Sequence, residues 1–162
     1  SGDWSSDVCS SDLLDRVYVP IGLGSGIVAT IAARNALGLH TEIIGVVAAR
    51  APCYLDSFRS GVVTPSTSAD TLADGLAVRI PDPEALAIMC ANLADVVAVS
   101  EENILEAIGI LFSDTHNVAE GAGAAALAAA LAERDQLAGK QVAVILSGSN
   151  IDAGLLLRAL QG

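Results

Sequence analysis

Short apolar runs alternate along this chain with longer segments that have helical composition. Four runs rich in β-branched residues predict buried strands, at 16–20, 42–47, 95–99 and 141–146. The segments around them predict helices, at 27–37, 51–60, 83–92, 101–113, 120–134 and from 152 onward. Strands that are apolar throughout and alternate with helices are typical of a parallel sheet covered on both faces. We therefore predict an α/β fold with three layers, helices on either side of a mostly parallel sheet.

The beginning of the chain breaks this pattern. Residues 3–13 are polar, follow neither a helical nor a strand period and include the only tryptophan, Trp4. The stretch also resembles the conceptual translation of a sequencing-adapter oligonucleotide. We interpret residues 1–13 as a non-native tail and residues 14–162 as the part that folds. A natural disordered leader is the alternative, and the codons of the source DNA would distinguish the two.

Composition and charge exclude several classes of protein. Of the 162 residues, 52% are hydrophobic and only 3% aromatic, and the net charge of -11 comes without a basic cluster, which argues against nucleic-acid binding. Cys9, Cys53 and Cys90 form no C-x-x-C pair, so neither a zinc site nor a disulfide framework is indicated. The longest apolar run, 122–132, is shorter than the roughly 20 residues that cross a membrane. We expect a cytoplasmic protein without a signal peptide and without membrane or nucleic-acid partners.

A glycine-rich loop joins the first strand to the first helix, and it consists of Gly22, Leu23, Gly24, Ser25 and Gly26. Glycines let a backbone approach a ligand closely, and amides at a helix N-terminus bind anions, above all phosphate. The loop lacks the G-x-G-x-x-G dinucleotide spacing, because Ile27 stands where the third glycine belongs. It also lacks the lysine of a P-loop and the spacing of a hydrolase elbow. The spacing alone leaves open a phosphate site or a glycine turn without a ligand.

Four phrases together carry a resemblance to a known family. They are 19–26 (VPIGLGSG), 71–75 (TLADG), 118–125 (VAEGAGAA) and 146–152 (LSGSNID). In this order they resemble threonine and serine dehydratases, which belong to the fold-type II, tryptophan-synthase-β-like class of pyridoxal-phosphate enzymes. The resemblance covers nearly all of 16–162 and implies the C-terminal part of the catalytic domain.

The resemblance implies a cofactor, a reaction and a role for each phrase. The cofactor would be pyridoxal 5'-phosphate, with its phosphate on the amides of residues 22–26 and its pyridine nitrogen on the hydroxyl of Ser147. Glu120 would be the acidic residue near the cofactor, and the turn Asp74-Gly75 would line its pocket. The implied reaction is elimination from threonine to 2-oxobutanoate and ammonia, or from serine to pyruvate, in a homo-oligomer. Without the resemblance, Ser147 would be interpreted as a turn or N-cap residue and Glu120 as a first-turn helix acid.

Three departures from the family limit what this chain can do alone. Its only lysine, Lys140, precedes the strand 141–146, whereas the family's Schiff-base lysine lies in an N-terminal half not present here. We therefore assign no catalytic residue to this chain and expect it to be inactive in isolation. Val47 and Cys53 stand where many relatives have cation-binding carboxylates, so we predict no metal site. Ser149 replaces a glycine in the last phrase.

Two other functions are kept as alternatives. A nucleotide-binding α/β domain would use the same glycine loop, and tight binding of NAD or ATP would support it. A non-catalytic interaction or assembly fragment would complement another chain, and a neighbouring gene for the lysine-bearing half would favour it.

Overall fold

A computed structural model describes residues 14–161 of the chain. Within them lie four strands, β1 (Arg16–Pro20), β2 (Glu42–Ala48), β3 (Asp95–Val99) and β4 (Val142–Val144). The six α-helices are α1 (Ser25–Ala36), α2 (Cys53–Ser60), α3 (Pro83–Asn92), α4 (Glu101–Thr115), α5 (Gly121–Ala132) and α6 (Ala153–Leu160). Two short 3-10 helices, Asp74–Leu76 and Arg134–Leu137, complete the regular structure of this part of the chain.

The four strands form one parallel sheet in the order β3-β2-β1-β4. Arg16 in β1 lies opposite Glu42 in β2 on one side and Val142 in β4 on the other. The prediction of a parallel α/β sheet is therefore confirmed.

Side chains alternate between the two faces of the sheet, as the period of a strand requires. Tyr18, Ile44 and Val46 point to the face covered by α4, α5 and α6. Val17 and Ile43 point to the opposite face, where they pack with residues of α1, α2 and α3. Both faces are thus covered, which confirms the three-layer architecture.

Strand β4 is shorter than its sequence predicted, 142–144 instead of 141–146. On the side of β1 that faces β4, Arg16 donates its amide to Gln141, and Ile145 donates to Tyr18 at 3.0 Å. After Arg16 and Tyr18, the next residue of β1 whose backbone nitrogen faces β4 is Pro20, which has no N–H to donate. The pairing therefore ends there, and the remaining apolar residues of the run continue as a loop.

Helix ends follow local capping signals. The N-cap residues Ser100 of α4 and Asp152 of α6 accept hydrogen bonds from the amides of Asn103 and Gly154. The Ala-rich helix α5 begins at Gly121, one residue later than predicted, and nine of its residues are buried in the core.

The interpretation of residues 1–13 as a non-native tail lies outside the described residues and stays a prediction. None of the helices described between residues 14 and 161 has the length and hydrophobicity that crossing a membrane requires.

Candidate functional site

The order of the strands creates a crevice at one edge of the sheet. The chain starts at β1, moves outward to β2 and β3, and then returns to β4 on the other side of β1. Ligands of open parallel sheets bind outside the carboxyl ends of the strands at such a reversal. The glycine loop follows β1 and the loop containing Ser147 follows β4, so both predicted loops lie at this crevice.

The glycine loop ends in the first turn of α1. Gly24 is the N-cap residue with φ 102°, a left-handed conformation that favours glycine, and no side chain caps the helix. Among residues 14–161, no oxygen accepts a hydrogen bond from the amides of residues 22–27. These donors, together with the positive end of the helix dipole, make the loop suitable for an anion.

Three of the predicted phrases are in direct contact at Gly75. A Cβ atom added to Gly22 would lie 2.5 Å from the carbonyl oxygen of Gly75. A Cβ added to Gly75 would lie 2.8 Å from the Cβ of Ala122 and 3.8 Å from Oε1 of Glu120. The turn at Gly75 is therefore wedged between the glycine loop and the start of α5.

The fourth phrase packs on Glu120. The amide of Glu120 donates to the carbonyl of Gly148 at 3.1 Å, and its Oε2 accepts from the amide of Asn150 at 3.2 Å. A side chain at Gly148 would collide with the carboxylate of Glu120, and one at Gly123 would collide with the backbone of Gly148. Glu120 is the N-cap residue of α5 but does not cap it with its side chain. Its carboxylate orients the loop after β4 instead.

A cavity of about 200 Å³ lies between the turn at Gly75, the start of α5 and the loop that leads to α6. Gly75 and Glu120 line it together with Asp74, Asn150 and Asp152. Neither residues 22–26 nor Ser147 belong to its lining. Ser147 is exposed in the loop after β4, and the N-cap of α6 is Asp152 rather than Ser147. The structure thus brings the predicted site residues to one edge of the sheet, while their individual roles stay predictions.

Lys140, Val47 and Cys53, three of the residues that depart from the family, do not take part in these contacts. Lys140 precedes β4 and so lies at the amino edge of the parallel sheet, opposite to the glycine loop. Val47 and Cys53 are buried, and the Cys53 thiol donates to the carbonyl of Val78 at 3.1 Å. Burial raises the pKa of this thiol, which keeps it protonated. Within residues 14–161, no group of three or more His, Cys, Asp or Glu residues is placed to bind a metal ion.

Two residues to which the sequence analysis assigned no site role hold the loops in place. Both oxygens of Glu101 accept hydrogen bonds at 2.8 Å, one from the Thr71 hydroxyl and the other from the Leu72 amide. Glu101 thereby fixes the segment that leads to Gly75. The hydroxyl of Tyr54 donates to the carbonyl of Leu23 in the glycine loop at 2.9 Å. Both contacts join residues that are distant in sequence, so no local pattern predicted them.

Comparison with known proteins gives consistent matches. A family model described as pyridoxal-phosphate dependent enzyme matches residues 9–148. An L-threonine ammonia-lyase of Thermotoga maritima is 36% identical over 147 residues, 91% of this chain and 36% of that protein. Another L-threonine ammonia-lyase, from Geobacter sulfurreducens, is 44% identical over 139 residues, 85% of this chain and 34% of that protein.

Solved structures include the same kind of protein. The processed form of threonine deaminase isoform 2 from Solanum lycopersicum superposes with a TM-score of 0.86 at 26% identity, over 92% of this chain and 44% of that one. The present chain spans about a third of the length of the two curated relatives.

Proposed function

This chain belongs to the pyridoxal-phosphate dependent enzyme family, and we propose that it is the cofactor-binding part of a threonine ammonia-lyase. Residues 14–162 would form the C-terminal part of the catalytic domain. The curated relatives named as L-threonine ammonia-lyases support threonine as the substrate. Serine is the second substrate we propose, because its side chain carries the same β-hydroxyl leaving group.

The glycine loop is the proposed phosphate site. Its fit to a phosphate rests on the amides of residues 22–27, for which residues 14–161 offer no acceptor. A Cβ added to Gly26 would meet no atom within 4 Å, so this residue leaves open space beside those amides. Phosphate oxygens would accept hydrogen bonds there and would also gain from the dipole of α1.

Ser147 is proposed to meet the pyridine nitrogen. It follows β4, the strand next to β1, so its loop lies at the same edge as the glycine loop. A hydroxyl can donate a hydrogen bond to the unprotonated nitrogen, whereas a carboxylate would hold a proton on it. When bound, pyridoxal phosphate supplies the electron sink for α-proton removal. With Ser147 that sink is weaker, which suits rapid loss of a β-hydroxyl.

Glu120 and Gly75 are proposed to shape the pocket between these two loops. Glu120 orients the loop after β4 through the amide of Asn150, and Gly75 fills the space between Gly22 and Ala122. Lys140 lies at the other edge of the sheet, so the lysine that anchors the cofactor must come from outside this chain. We expect no turnover by this chain alone.

The reversal of strand order between the glycine loop and the Ser147 loop is the observation that carries the proposal. The test is to supply the complete gene product with pyridoxal phosphate and to measure 2-oxobutanoate released from threonine and pyruvate from serine. Ser147→Ala should lower kcat strongly, because the ring nitrogen loses its hydrogen-bond donor. Ser149→Ala, two residues further along the same exposed loop, is the matched control and should leave kcat near the wild-type value.

A complete protein that binds the cofactor but releases neither product would refute the proposed reaction. Equal effects of the Ser147 and Ser149 substitutions would refute the role of Ser147.

We further propose that the complete enzyme is cytoplasmic and homo-oligomeric, which cell fractionation and sedimentation analysis would test.

A further inference from the structure

Tyr54 connects the glycine loop to the start of α3. Its side chain is buried, with 1% of its surface exposed. Its hydroxyl donates to the carbonyl of Leu23 at 2.9 Å and accepts from the amide of Asp82 at 3.0 Å. Both hydrogen-bonding capacities of this buried hydroxyl, donor and acceptor, are therefore used by backbone groups of two other segments.

The bond to Leu23 determines the direction of the next amide. The carbonyl of one residue and the N–H of the following residue point to opposite sides of a trans peptide, and residues 14–161 contain no cis peptide. Because Tyr54 holds the Leu23 carbonyl on the protein side, the amide of Gly24 points away from it. A rotation of this peptide would instead present a carbonyl oxygen to an incoming anion.

Among residues 14–161, the Tyr54 hydroxyl is the only hydrogen-bond donor to the Leu23 carbonyl. The side chain of Leu23 is 72% exposed and so contributes little packing. Gly24 has no side chain, and its φ is 102°. Because a glycine adopts positive and negative φ about equally well, Gly24 itself does not oppose a rotation of the Leu23–Gly24 peptide. The hydrogen bond from the Tyr54 hydroxyl to the Leu23 carbonyl therefore holds the orientation of the Leu23–Gly24 peptide.

The other partner of Tyr54 is anchored independently. The Asp82 side chain caps α3 by accepting from the amide of Ala85 at 2.8 Å. A Cβ added to Gly24 would lie 2.8 Å from the Cβ of Ala85 and 2.9 Å from Cε of Met89, so α3 packs directly beneath the loop. Tyr54 thus ties the loop to the beginning of a capped helix.

From these contacts we infer that Tyr54 is a positioning residue for phosphate binding, which acts through the Leu23–Gly24 peptide. The inference rests on the proposed phosphate site and adds a residue that does not touch the ligand. Its consequence is specific: loss of the hydroxyl should weaken binding of the phosphate group more than binding of the pyridoxal ring.

The chain offers a matched control in its only other tyrosine. Tyr18 is also fully buried, and its hydroxyl donates to the carboxylate of Glu133. Glu133 follows α5, and the neighbouring Arg16 begins β1, so this contact lies toward the amino edge of the sheet. Tyr18→Phe should therefore lower stability without changing recognition of phosphate.

The test compares affinities for pyridoxal 5'-phosphate and for pyridoxal, which lacks the phosphate. Both are measured on the complete gene product after removal of its cofactor, in wild type, Tyr54→Phe and Tyr18→Phe. We expect Tyr54→Phe to reduce the preference for the phosphorylated compound roughly tenfold. Tyr18→Phe should retain the wild-type preference.

Two results would overturn the inference, and they are distinguishable. If wild type prefers pyridoxal phosphate and Tyr54→Phe keeps that preference, the role of Tyr54 is wrong while the phosphate site stands. If wild type itself shows no preference, the proposed phosphate site is wrong, and the inference that depends on it fails as well.

A second measurement avoids any loss of folding in Tyr54→Phe. In the complete gene product, 3-fluorotyrosine is incorporated site-specifically at position 54 or at position 18, which retains the hydroxyl and gives one fluorine NMR signal in each protein. Addition of inorganic phosphate should shift the Tyr54 signal and leave the Tyr18 signal in place. A Tyr54 signal that does not move while pyridoxal phosphate binds would overturn the inference.

Discussion

Substitution of Gly26 by alanine should change stability and cofactor binding in opposite directions. Gly26 lies in the first turn of α1 with φ outside the left-handed region, and a Cβ there would meet no atom within 4 Å. A glycine-to-alanine change at such a position stabilises a protein by about 0.5 kcal/mol, because the unfolded chain loses conformational freedom. The same methyl group would occupy the open space that we assign to the phosphate.

The size of both effects can be estimated. A gain of about 0.5 kcal/mol raises the thermal midpoint of a domain of this size by roughly 1–2 °C. At a cofactor concentration of about 100 times Kd, binding stabilises wild type by about 2.7 kcal/mol. If the methyl group weakens binding tenfold, this stabilisation falls to about 1.4 kcal/mol. The variant should thus unfold at a higher temperature than wild type without cofactor and at a lower temperature with it.

Calorimetry of the complete gene product, with and without pyridoxal phosphate, measures both midpoints. Gly38→Ala is the control, because Gly38 has φ 67° and open space around it but lies at the far end of α1. It should lower both midpoints equally through backbone strain. A Gly26→Ala protein that binds the cofactor as tightly as wild type would refute the assignment of phosphate to this loop.

Three other predictions concern Glu101, the two tyrosines and the edge strand β4. Glu101→Gln should expose residues 72–76 to faster amide hydrogen exchange, since the amide group cannot accept from both Thr71 and Leu72; unchanged exchange would contradict the role of Glu101. Burial raises the pKa of Tyr18 and Tyr54, so folding favours their neutral forms and stability should fall above about pH 10, less steeply in Tyr→Phe variants, as followed by urea unfolding. The chain alone should self-associate through the half-exposed edge strand β4, and a monodisperse, cooperatively unfolding monomer in size-exclusion chromatography would contradict this.

Elements with local signals could be predicted from the sequence to the residue. The bounds of β1, α3 and β3 coincide with the prediction, because each strand is an unbroken apolar run after a charged first residue and Pro83 starts α3 after the capping Asp82. The prediction for β4 was too long, since its length depends on Pro20, a residue of the neighbouring strand. The apolar run 141–146 predicted a strand of six residues, but only three of them, 142–144, pair with β1.

The candidate site divides in the same way. The glycine loop and the Ser147 loop could be predicted, since strand–loop–helix patterns place them at carboxyl ends of parallel strands. The supports could not, because Tyr54 meets Leu23 and Glu101 meets Thr71 across 31 and 30 positions of sequence. A buried tyrosine hydroxyl needs a partner, but nothing in the sequence near Tyr54 indicates which one.

The small residues of the four phrases follow from how closely their backbones approach one another. Gly22 touches Gly75, Gly75 touches Ala122, and Gly123 touches Gly148, so a side chain at any of these glycines would force two loops apart. The loops therefore meet through backbone atoms, the methyl group of Ala122 and the carboxylate of Glu120, and these contacts form only when the loops are packed together. Substitutions in different loops should then act on a shared arrangement rather than independently. This explains why the four phrases together indicate a family, while any one of them could be an ordinary turn.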